Sequence, residues 1–369
     1  MSELRREYVE ALRREGALRR DDVAAAFGRV PRELFVADGF YGRDGVLVTP
    51  EHPDFPAAVY RNDVLVTKVV DGAAVSSSSQ PSLMAAMIES LELEPGMRVL
   101  EIGAGTGYNA ALMAVLGARV TSVDVQPDVV ERAAAALARA GTGDAVRVRL
   151  GDGYLGDPDG ASYDRVVATV GVAGVSPYWL AQLAPDGFVL APVGHAGTHP
   201  VLRVRRRADG TVTGRGVLPA GFMRAAGPLS ARYPWAHPEP VADRVLAEPT
   251  VSRPGCWEPP LEAYRYYDLW FAAGVWDRRV TFGAVAGVRG AGGCLLLDPA
   301  GAGGAGLLAD GAVHGAGAEA ERYADAAVAL RDRWIREGEP RIDEWFADLP
   351  SAGEPDRPIH VPHHWRRSP

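Results

Sequence analysis

The chain has 369 residues, of which 47% are hydrophobic and 23% are charged, as in folded proteins of one large domain or two. Its net charge of −8, from 39 basic and 47 acidic residues, disfavours a broad nucleic-acid-binding surface. The mean hydropathy of −0.06, the lack of a long apolar run and the charged first residues predict a cytoplasmic protein with no membrane span and no secretory signal.

The cysteine content is low. The 2 cysteines, Cys256 and Cys294, are too few for a disulfide framework and lack the spacing of a zinc site. Reduced thiols are therefore expected, and no metal site is predicted.

The first 90 residues predict a short helical lead and an extended segment. Helices are expected over 3–15 and from Asp21 to Phe27, a loop over 38–56, and a strand over 64–70. The run SSSSQP follows, and apolar residues then recur at helical spacing. Pro81 suits the first position of a helix, so the serine run is predicted to lie at a helix N-terminus.

From residue 98 onward, strands and helices alternate. Strands are predicted over 98–102, 119–124, 146–150, 164–170 and 187–193, with helices over 107–116, 127–140 and 177–184. Such repeats predict an α/β fold with a doubly wound parallel sheet. After Pro200, two strand-like runs flank a turn at 208–210, which predicts a hairpin of antiparallel edge strands.

The C-terminal part differs in composition. An aromatic run from Trp257 to Trp276 is expected to pack in a core in preference to gripping a peptide. The Gly/Ala-rich stretch 283–318 is interpreted as short strands with tight turns, and a helix is predicted over 319–337. The predicted domains are 1–75 with N-terminal helices and loops on the substrate side, 76–222 for cofactor binding, and 223–369 as an accessory domain.

The strongest motif is Glu101-Ile102-Gly103-Ala104-Gly105-Thr106-Gly107, between a strand and a helix. Glycines there let backbone N–H groups approach a ligand closely. Tyr108 stands where the dinucleotide fingerprint needs Gly or Ala. A carboxylate beside the loop, at Glu101, favours a cationic ligand, and this combination favours S-adenosylmethionine over a nicotinamide cofactor.

Three further strand ends complete the predicted cofactor site. Asp124 ends the second strand, where its carboxylate can accept hydrogen bonds from ribose hydroxyls. Asp152, followed by Gly153, comes after the third strand and can accept the exocyclic amine of adenine. Val170 follows the fourth strand and is also placed in this site.

Several segments together resemble the protein-L-isoaspartate O-methyltransferase family. They are RVPRELFV at 29–36, Ser79-Gln80-Pro81, PGMRVLEIGAGTGYNAALMA, GDG, TVGV and LAPVG near 194. The resemblance covers about half the chain. It implies a Rossmann-like class I methyltransferase fold, in which Glu101, Gly103, Gly105, Asp124 and Asp152 would bind the cofactor and Ser79 would be the active-site hydroxyl.

The serine run departs from the family pattern. The family has a Thr-Ile-Ser-Gln-Pro-like string where this chain has Ser77-Ser78-Ser79-Gln80-Pro81. This departure leaves open which serine faces the substrate: Ser79 is the first candidate for substrate contact and Ser78 the second, with Ser77 also open. Helix capping is the structural alternative for these hydroxyls.

The predicted function is carboxyl O-methylation of Asp or isoAsp in a peptide or protein, after which the ester collapses to a succinimide. Repair of isoaspartyl damage and maturation of a macrocyclised ribosomal peptide are two interpretations of that chemistry. A small-molecule methyltransferase, a nicotinamide-dependent oxidoreductase and a non-catalytic binding protein are the alternatives. No nucleic-acid or membrane partner is predicted.

Overall fold

The computed structural model describes residues 3–42, 44–238, 245–288 and 292–367, which form two compact units. The first unit consists of Met1–Val170, Ser176–Ala191 and Met223–Ala225, and the second of Gly171–Val175, Pro192–Phe222 and Ala226–Pro369. Both units contain strands and helices.

The first unit begins with a helical lead and a small antiparallel sheet. Its elements are α1 (Glu3–Arg14), α2 (Asp21–Arg29), β1 (Phe40–Tyr41), β2 (Leu47–Val48), α3 (Phe55–Val59), β3 (Leu65–Val70), β4 (Ala73–Ser78) and α4 (Pro81–Ser90). The sheet order is β2-β1-β3-β4. The predicted lead helices and the helix at Pro81 are present.

The serine run lies in a strand, so its predicted place at a helix N-terminus is wrong for Ser76 to Ser78. These residues belong to β4, where Ser78 pairs with Leu65 and Ser77 with Val66. The reason is the turn at Asp71-Gly72, where both residues have positive φ and the chain folds back into a hairpin. Only Ser79 and Gln80 separate β4 from α4.

The centre of the first unit is a parallel sheet. Its elements are β5 (Arg98–Ile102), α5 (Tyr108–Val115), β6 (Arg119–Asp124), α6 (Pro127–Arg139), β7 (Val146–Leu150), β8 (Tyr163–Ala168), α7 (Pro177–Ala181) and β9 (Leu183–Pro192). The parallel pairs give the order β7-β6-β5-β8-β9. Strand order reverses between β5 and β8, which is where such sheets bind ligands, at their carboxyl ends. The predicted α/β fold is confirmed.

The second unit is built mainly from antiparallel strands. Its elements are β10 (Val201–Arg206), β11 (Val212–Leu218), β12 (Val245–Leu246), β13 (Val251–Arg253), α8 (Ala263–Trp276), β14 (Val280–Val285), β15 (Gly293–Leu297), β16 (Gly303–Leu307), β17 (Val313–Gly317), α9 (Ala320–Arg336), β18 (Trp345–Asp348), β19 (Ser351–Glu354), β20 (Arg357–His360) and β21 (His363–Arg367). The predicted hairpin is present as β10 and β11, but its predicted place at the edge is wrong, because β11 also pairs with β18 and β18 with β21. The described part of 283–318 forms strands and turns, as expected; residues 289–291 lie outside the described residues.

The core of the second unit contains most of the aromatic run. Trp270 and Phe271 are buried in it, and Trp257 and Trp276 pack against it, as expected; Tyr264, by contrast, is exposed. His195 is also buried. Its Nε2 lies 3.0 Å from the carbonyl oxygen of Phe271, and burial lowers its pKa to about 3.

The two units divide the chain differently from the predicted domains. The N-terminal lead belongs to the first unit, where the carboxylate of Glu89 in α4 accepts the backbone N–H groups of Arg19 and Arg20. The hairpin β10–β11 belongs to the second unit, because β11 pairs with β18. Long-range strand pairing of this kind leaves no local mark in sequence.

Among the described residues, no helix is both long enough and apolar enough to cross a lipid bilayer.

Candidate active site

The predicted site residues meet at the carboxyl ends of β5, β6, β7 and β8. Backbone hydrogen bonds tie these ends together: Gly103 N donates to Val123 O at 2.8 Å, and Gly151 N donates to Asp124 O at 2.9 Å. Thr169 N donates to Ile102 O at 2.9 Å. The loops after four separate strands therefore form one rigid edge.

The loop after β5 needs glycine at its first position. Gly103 has φ +95°, and a Cβ there would lie 2.8 Å from Thr169 Oγ1 and 3.0 Å from Val170 Cγ1. Thr169 Oγ1 donates to Gly103 O at 2.6 Å and fixes the turn. Val170 is thus adjacent to the loop, as its predicted place in the site requires. Gly107, in contrast, packs against α6, and a Cβ there would lie 3.4 Å from Ala133 Cβ.

Asp124 holds the glycine loop through its carboxylate. Gly105 N donates to Oδ2 at 3.2 Å, and Gln126 N donates to Oδ1 at 3.0 Å. Each carboxylate oxygen retains a second lone pair. The half-buried side chain can therefore accept ribose hydroxyls while it keeps the loop in place.

Glu101 is a fully buried carboxyl group. Asn109 Nδ2 donates to its Oε1 at 2.7 Å, and Ser122 Oγ donates to its Oε2 at 2.6 Å. Burial raises its pKa to about 7, and the charge of Asp124 adds to the rise. No cationic side chain of the described residues offsets this rise. A cationic ligand nearby would favour the ionised form.

The ends of β6 and β7 expose apolar side chains beside their acidic residues. Val125 is 62% exposed and Leu150 is 56% exposed. Asp152 is also exposed, with Tyr154 N donating to its Oδ1 at 2.9 Å. A Cβ at Gly153 would lie 2.7 Å from Ile102 Cγ2, so this position requires glycine. The two exposed apolar side chains, Val125 and Leu150, fit the adenine ring, and the exposed carboxylate of Asp152 beside them fits its amine.

The hairpin β3–β4 lies against the glycine loop. A Cβ at Gly105 would be 3.1 Å from Ser77 O, and Gln126 Nε2 donates to Val75 O at 3.1 Å. A small pocket is lined by Thr67 and Ser76 of the hairpin together with Gly105, Thr106 and neighbouring residues. Residues 76–79, the serine segment, and the predicted cofactor loop are therefore neighbours in space.

The two candidate catalytic serines have different environments. Ser78 is buried, and its Oγ accepts from the Arg32 guanidinium, with Nε and Nη2 each at 3.4 Å. Ser79 is half-buried, and its carbonyl oxygen accepts from Arg32 Nη2 at 3.0 Å. Of the two, the Ser79 side chain is the more accessible to a ligand.

Sequence reasoning missed three polar residues at the site. Asn109 holds Glu101, Asn62 Oδ1 accepts Ser82 N at 3.0 Å and so caps α4, and Arg32 anchors the serine segment. A compositional signal existed, because Asn62 and Asn109 are the only asparagines in the chain. The single lysine, Lys68, is in contrast engaged in an ion pair with Asp128 at 2.7 Å, which joins β3 to α6.

Comparison with known proteins identifies one family repeatedly. The family model described as "Protein-L-isoaspartate(D-aspartate) O-methyltransferase" matches residues 3–227. A relative from Hyperthermus butylicus named protein-L-isoaspartate O-methyltransferase is 35% identical over 255 residues, which are 66% of this chain and 95% of that protein. One from Thermotoga maritima with the same name is 36% identical over 214 residues, 57% of this chain and 62% of that protein.

A solved structure extends the similarity to both units. It is described as a protein-L-isoaspartate O-methyltransferase, with a TM-score of 0.56 and 26% sequence identity, and the match covers 99% of each chain. The C-terminal part is therefore shared with a protein of that name.

Proposed function

The chain belongs to the protein-L-isoaspartate(D-aspartate) O-methyltransferase family, and on that premise we propose that its acceptor is the free carboxylate of an isoaspartyl residue in a protein or peptide. The chain is an S-adenosylmethionine-dependent methyltransferase. The observation that carries the choice of acceptor is the serine segment held against the glycine loop, where Ser77 O lies 3.1 Å from the Cβ position of Gly105.

The residues at the site fit the cofactor. Gly103 and Gly105 allow close approach of the backbone, Asp124 can accept the ribose hydroxyls, and Val125 and Leu150 can cover the adenine ring whose amine Asp152 accepts. S-adenosylmethionine supplies an electrophilic methyl group. The Glu101 carboxyl adds negative charge on the same sheet edge as that cation.

The acceptor requires positioning rather than deprotonation. A carboxylate is already ionised and nucleophilic at neutral pH, so a general base is not needed. The Ser79 hydroxyl can donate to one carboxylate oxygen and leave the other directed at the methyl group. The carboxylate oxygen would form a bond to the methyl carbon as the carbon–sulfur bond of the sulfonium breaks, which would give a neutral methyl ester and S-adenosylhomocysteine.

The ester has a defined fate. The backbone nitrogen that follows the modified residue attacks the ester carbonyl, methanol leaves, and a succinimide forms. Water opens this ring to Asp or isoAsp. Repeated cycles convert isoaspartyl damage to normal aspartate, because isoAsp alone re-enters the reaction.

Maturation of a macrocyclised ribosomal peptide stays a prediction. Chain length beyond a methyltransferase core would be a reason for it, but a solved structure described as a protein-L-isoaspartate O-methyltransferase shares that length. Extra length therefore does not favour a macrocyclic substrate over damaged protein. The predicted cytoplasmic location also stays a prediction.

The substrate is tested with deuterated S-adenosylmethionine and four matched peptides: linear peptides of one sequence with isoAsp or with Asp, and the same pair macrocyclised. We expect rapid labelling of the linear isoAsp peptide, followed by loss of labelled methanol, and no labelling of linear Asp. Labelling of macrocyclic Asp without labelling of linear isoAsp would overturn the proposal in favour of peptide maturation.

The role of Ser79 is tested by Ser79→Ala. Loss of one hydrogen bond to an ionised acceptor is expected to lower kcat/KM for the isoAsp peptide by about tenfold. The affinity for S-adenosylhomocysteine should not change. Ser78→Ala is the matched variant, and it should lower the free energy of unfolding because its buried hydroxyl accepts from Arg32. Equal kcat/KM in Ser79→Ala and the wild type would show that the Ser79 hydroxyl does not bind the acceptor.

A further inference from the structure

Within the part of the chain that the structure describes, Arg32 is a fully buried cation without a carboxylate partner. It begins the 3-10 turn Arg32–Phe35, and its side chain has 0% exposure. Among the described residues, its hydrogen bonds end on Ser78 Oγ and on the carbonyl oxygens of Val59, Arg61, Asp63, Ser78 and Ser79, at 2.9 to 3.5 Å. Carbonyl dipoles solvate the guanidinium but leave its net charge in place.

An unpaired buried charge is unfavourable unless something offsets it. Removing a cation from water costs several kcal/mol, and carbonyl oxygens recover only part of that free energy. Buried Asp157 of the first unit, for example, pairs with Arg147 at 2.8 Å and Arg149 at 2.6 Å, whereas the buried Arg165 bonds to carbonyl oxygens, as Arg32 does. Arg32 differs from Arg165 in its contact with the serine segment, where an anion supplied from outside the chain would offset its charge.

The position of Arg32 connects the serine segment to the glycine loop. Its guanidinium donates to the backbone of Ser79, and its central carbon lies 5.9 Å from the ring centroid of Tyr108. Tyr108 is the first residue of α5, directly after the loop Gly103–Gly107. The charge thus lies beside both parts of the proposed reaction site.

We propose that Arg32 is a positioning residue that supplies the positive potential for the acceptor carboxylate and acts through Ser78 and Ser79 without touching the substrate. The proposal rests on the proposed function, because it requires an anionic acceptor. It also explains how substrate and product are distinguished: the carboxylate carries a negative charge, whereas the methyl ester is neutral. The site would bind the acid and release the ester.

The charge argument predicts a specific kinetic signature. Negative charge on the acceptor decreases as the carbon–oxygen bond forms, so positive potential stabilises the bound substrate more than the transition state. Loss of the charge should therefore raise KM and leave kcat unchanged or slightly higher. A residue that only shapes the segment would lower kcat as well.

The test compares Arg32→Met and Arg32→Lys with a matched variant, Arg165→Met. Arg165 is also buried and bonds to carbonyls, those of Leu91 at 2.6 Å and Asp164 at 2.8 Å, in the amino-terminal half of β8. For each variant we would measure KM and kcat for the isoAsp peptide, the Kd of the neutral methyl ester of that peptide, and the Kd of S-adenosylhomocysteine.

In Arg32→Met, KM for the isoAsp peptide should rise about tenfold, while the Kd values of the ester and of S-adenosylhomocysteine stay constant. Arg32→Lys keeps the charge and should recover most of the preference for acid over ester. Arg165→Met should not alter that preference.

Two results would overturn the proposal: parallel weakening of acid and ester binding in Arg32→Met, or no recovery in Arg32→Lys. If Arg32→Met does not fold, the ratio of acid to ester affinity in Arg32→Lys decides, because the proposal requires it to remain near the wild-type ratio. A wild-type enzyme that methylates no isoAsp peptide would instead overturn the proposed function, and this inference with it.

Discussion

Gly103→Ala is expected to abolish measurable binding of S-adenosylhomocysteine, with a loss of at least about a hundredfold in affinity. The residue has φ +95°, which strains any side chain, and the added Cβ would lie 2.8 Å from Thr169 Oγ1. Because Thr169 Oγ1 also donates to Gly103 O, the clash cannot be relieved without moving the turn that carries the loop. Isothermal titration measures the affinity, and urea unfolding measures the accompanying loss of stability.

Gly96→Ala is the matched control for this substitution. Gly96 has nearly the same φ, +90°, but nothing lies within 4 Å of the position its Cβ would take. The backbone strain, of order 1 to 3 kcal/mol, should therefore appear in both variants, whereas the loss of affinity should appear only in Gly103→Ala. Similar loss of binding in both variants would show that the loop at Gly103 does not form the cofactor site.

Glu101→Gln is expected to make the protein more stable and the cofactor bind more weakly. Burial raises the pKa of Glu101 to about 7 from an ordinary 4.5. Between these values the unfolded chain has lost the proton and the folded chain retains it, so stability falls as pH rises and stays lower above pH 7. The free energy of unfolding falls by about 3 kcal/mol in total, and a neutral Gln avoids this loss.

The measurement is urea unfolding of the cofactor-free protein at pH 5 and pH 8. Glu101→Gln should match the wild type at pH 5 and exceed its stability at pH 8. A cationic cofactor favours the ionised carboxylate, so wild-type affinity for S-adenosylmethionine should rise with pH through about 7. The Gln variant should lose that dependence and bind about tenfold more weakly at pH 8.

Glu89→Gln is the control for Glu101→Gln. Glu89 is also buried, but its carboxylate accepts two backbone N–H groups and pairs with Arg19 at 3.2 Å. Its replacement should destabilise the protein at both pH values, because Gln loses the ion pair with Arg19 and one of the two accepting oxygens. If Glu101→Gln behaves in the same way, the raised pKa of Glu101 is wrong.

Much of the fold was predictable because it depends on local pattern. The strand predicted over 119–124 coincides with β6, and the helix predicted over 127–140 with α6, since buried strands and amphipathic helices differ in the period of their apolar residues. The predicted place of the serine run at a helix N-terminus was wrong for a corresponding reason. A row of serines has no apolar period, and the pairing of β4 with β3 decided its structure.

The sequence by itself determined the cofactor loop of this protein, because strand, glycines and helix are contiguous and their geometry is local. The tertiary structure alone decided what surrounds it. Arg32 lies 47 positions before Ser79 and Glu101 lies 21 positions before Ser122, yet each pair is in hydrogen-bond contact. Contacts between such distant positions depend on how hairpin, sheet and helical lead pack together. That packing also buries Glu101 and Arg32, and burial gives their charges the effects expected here.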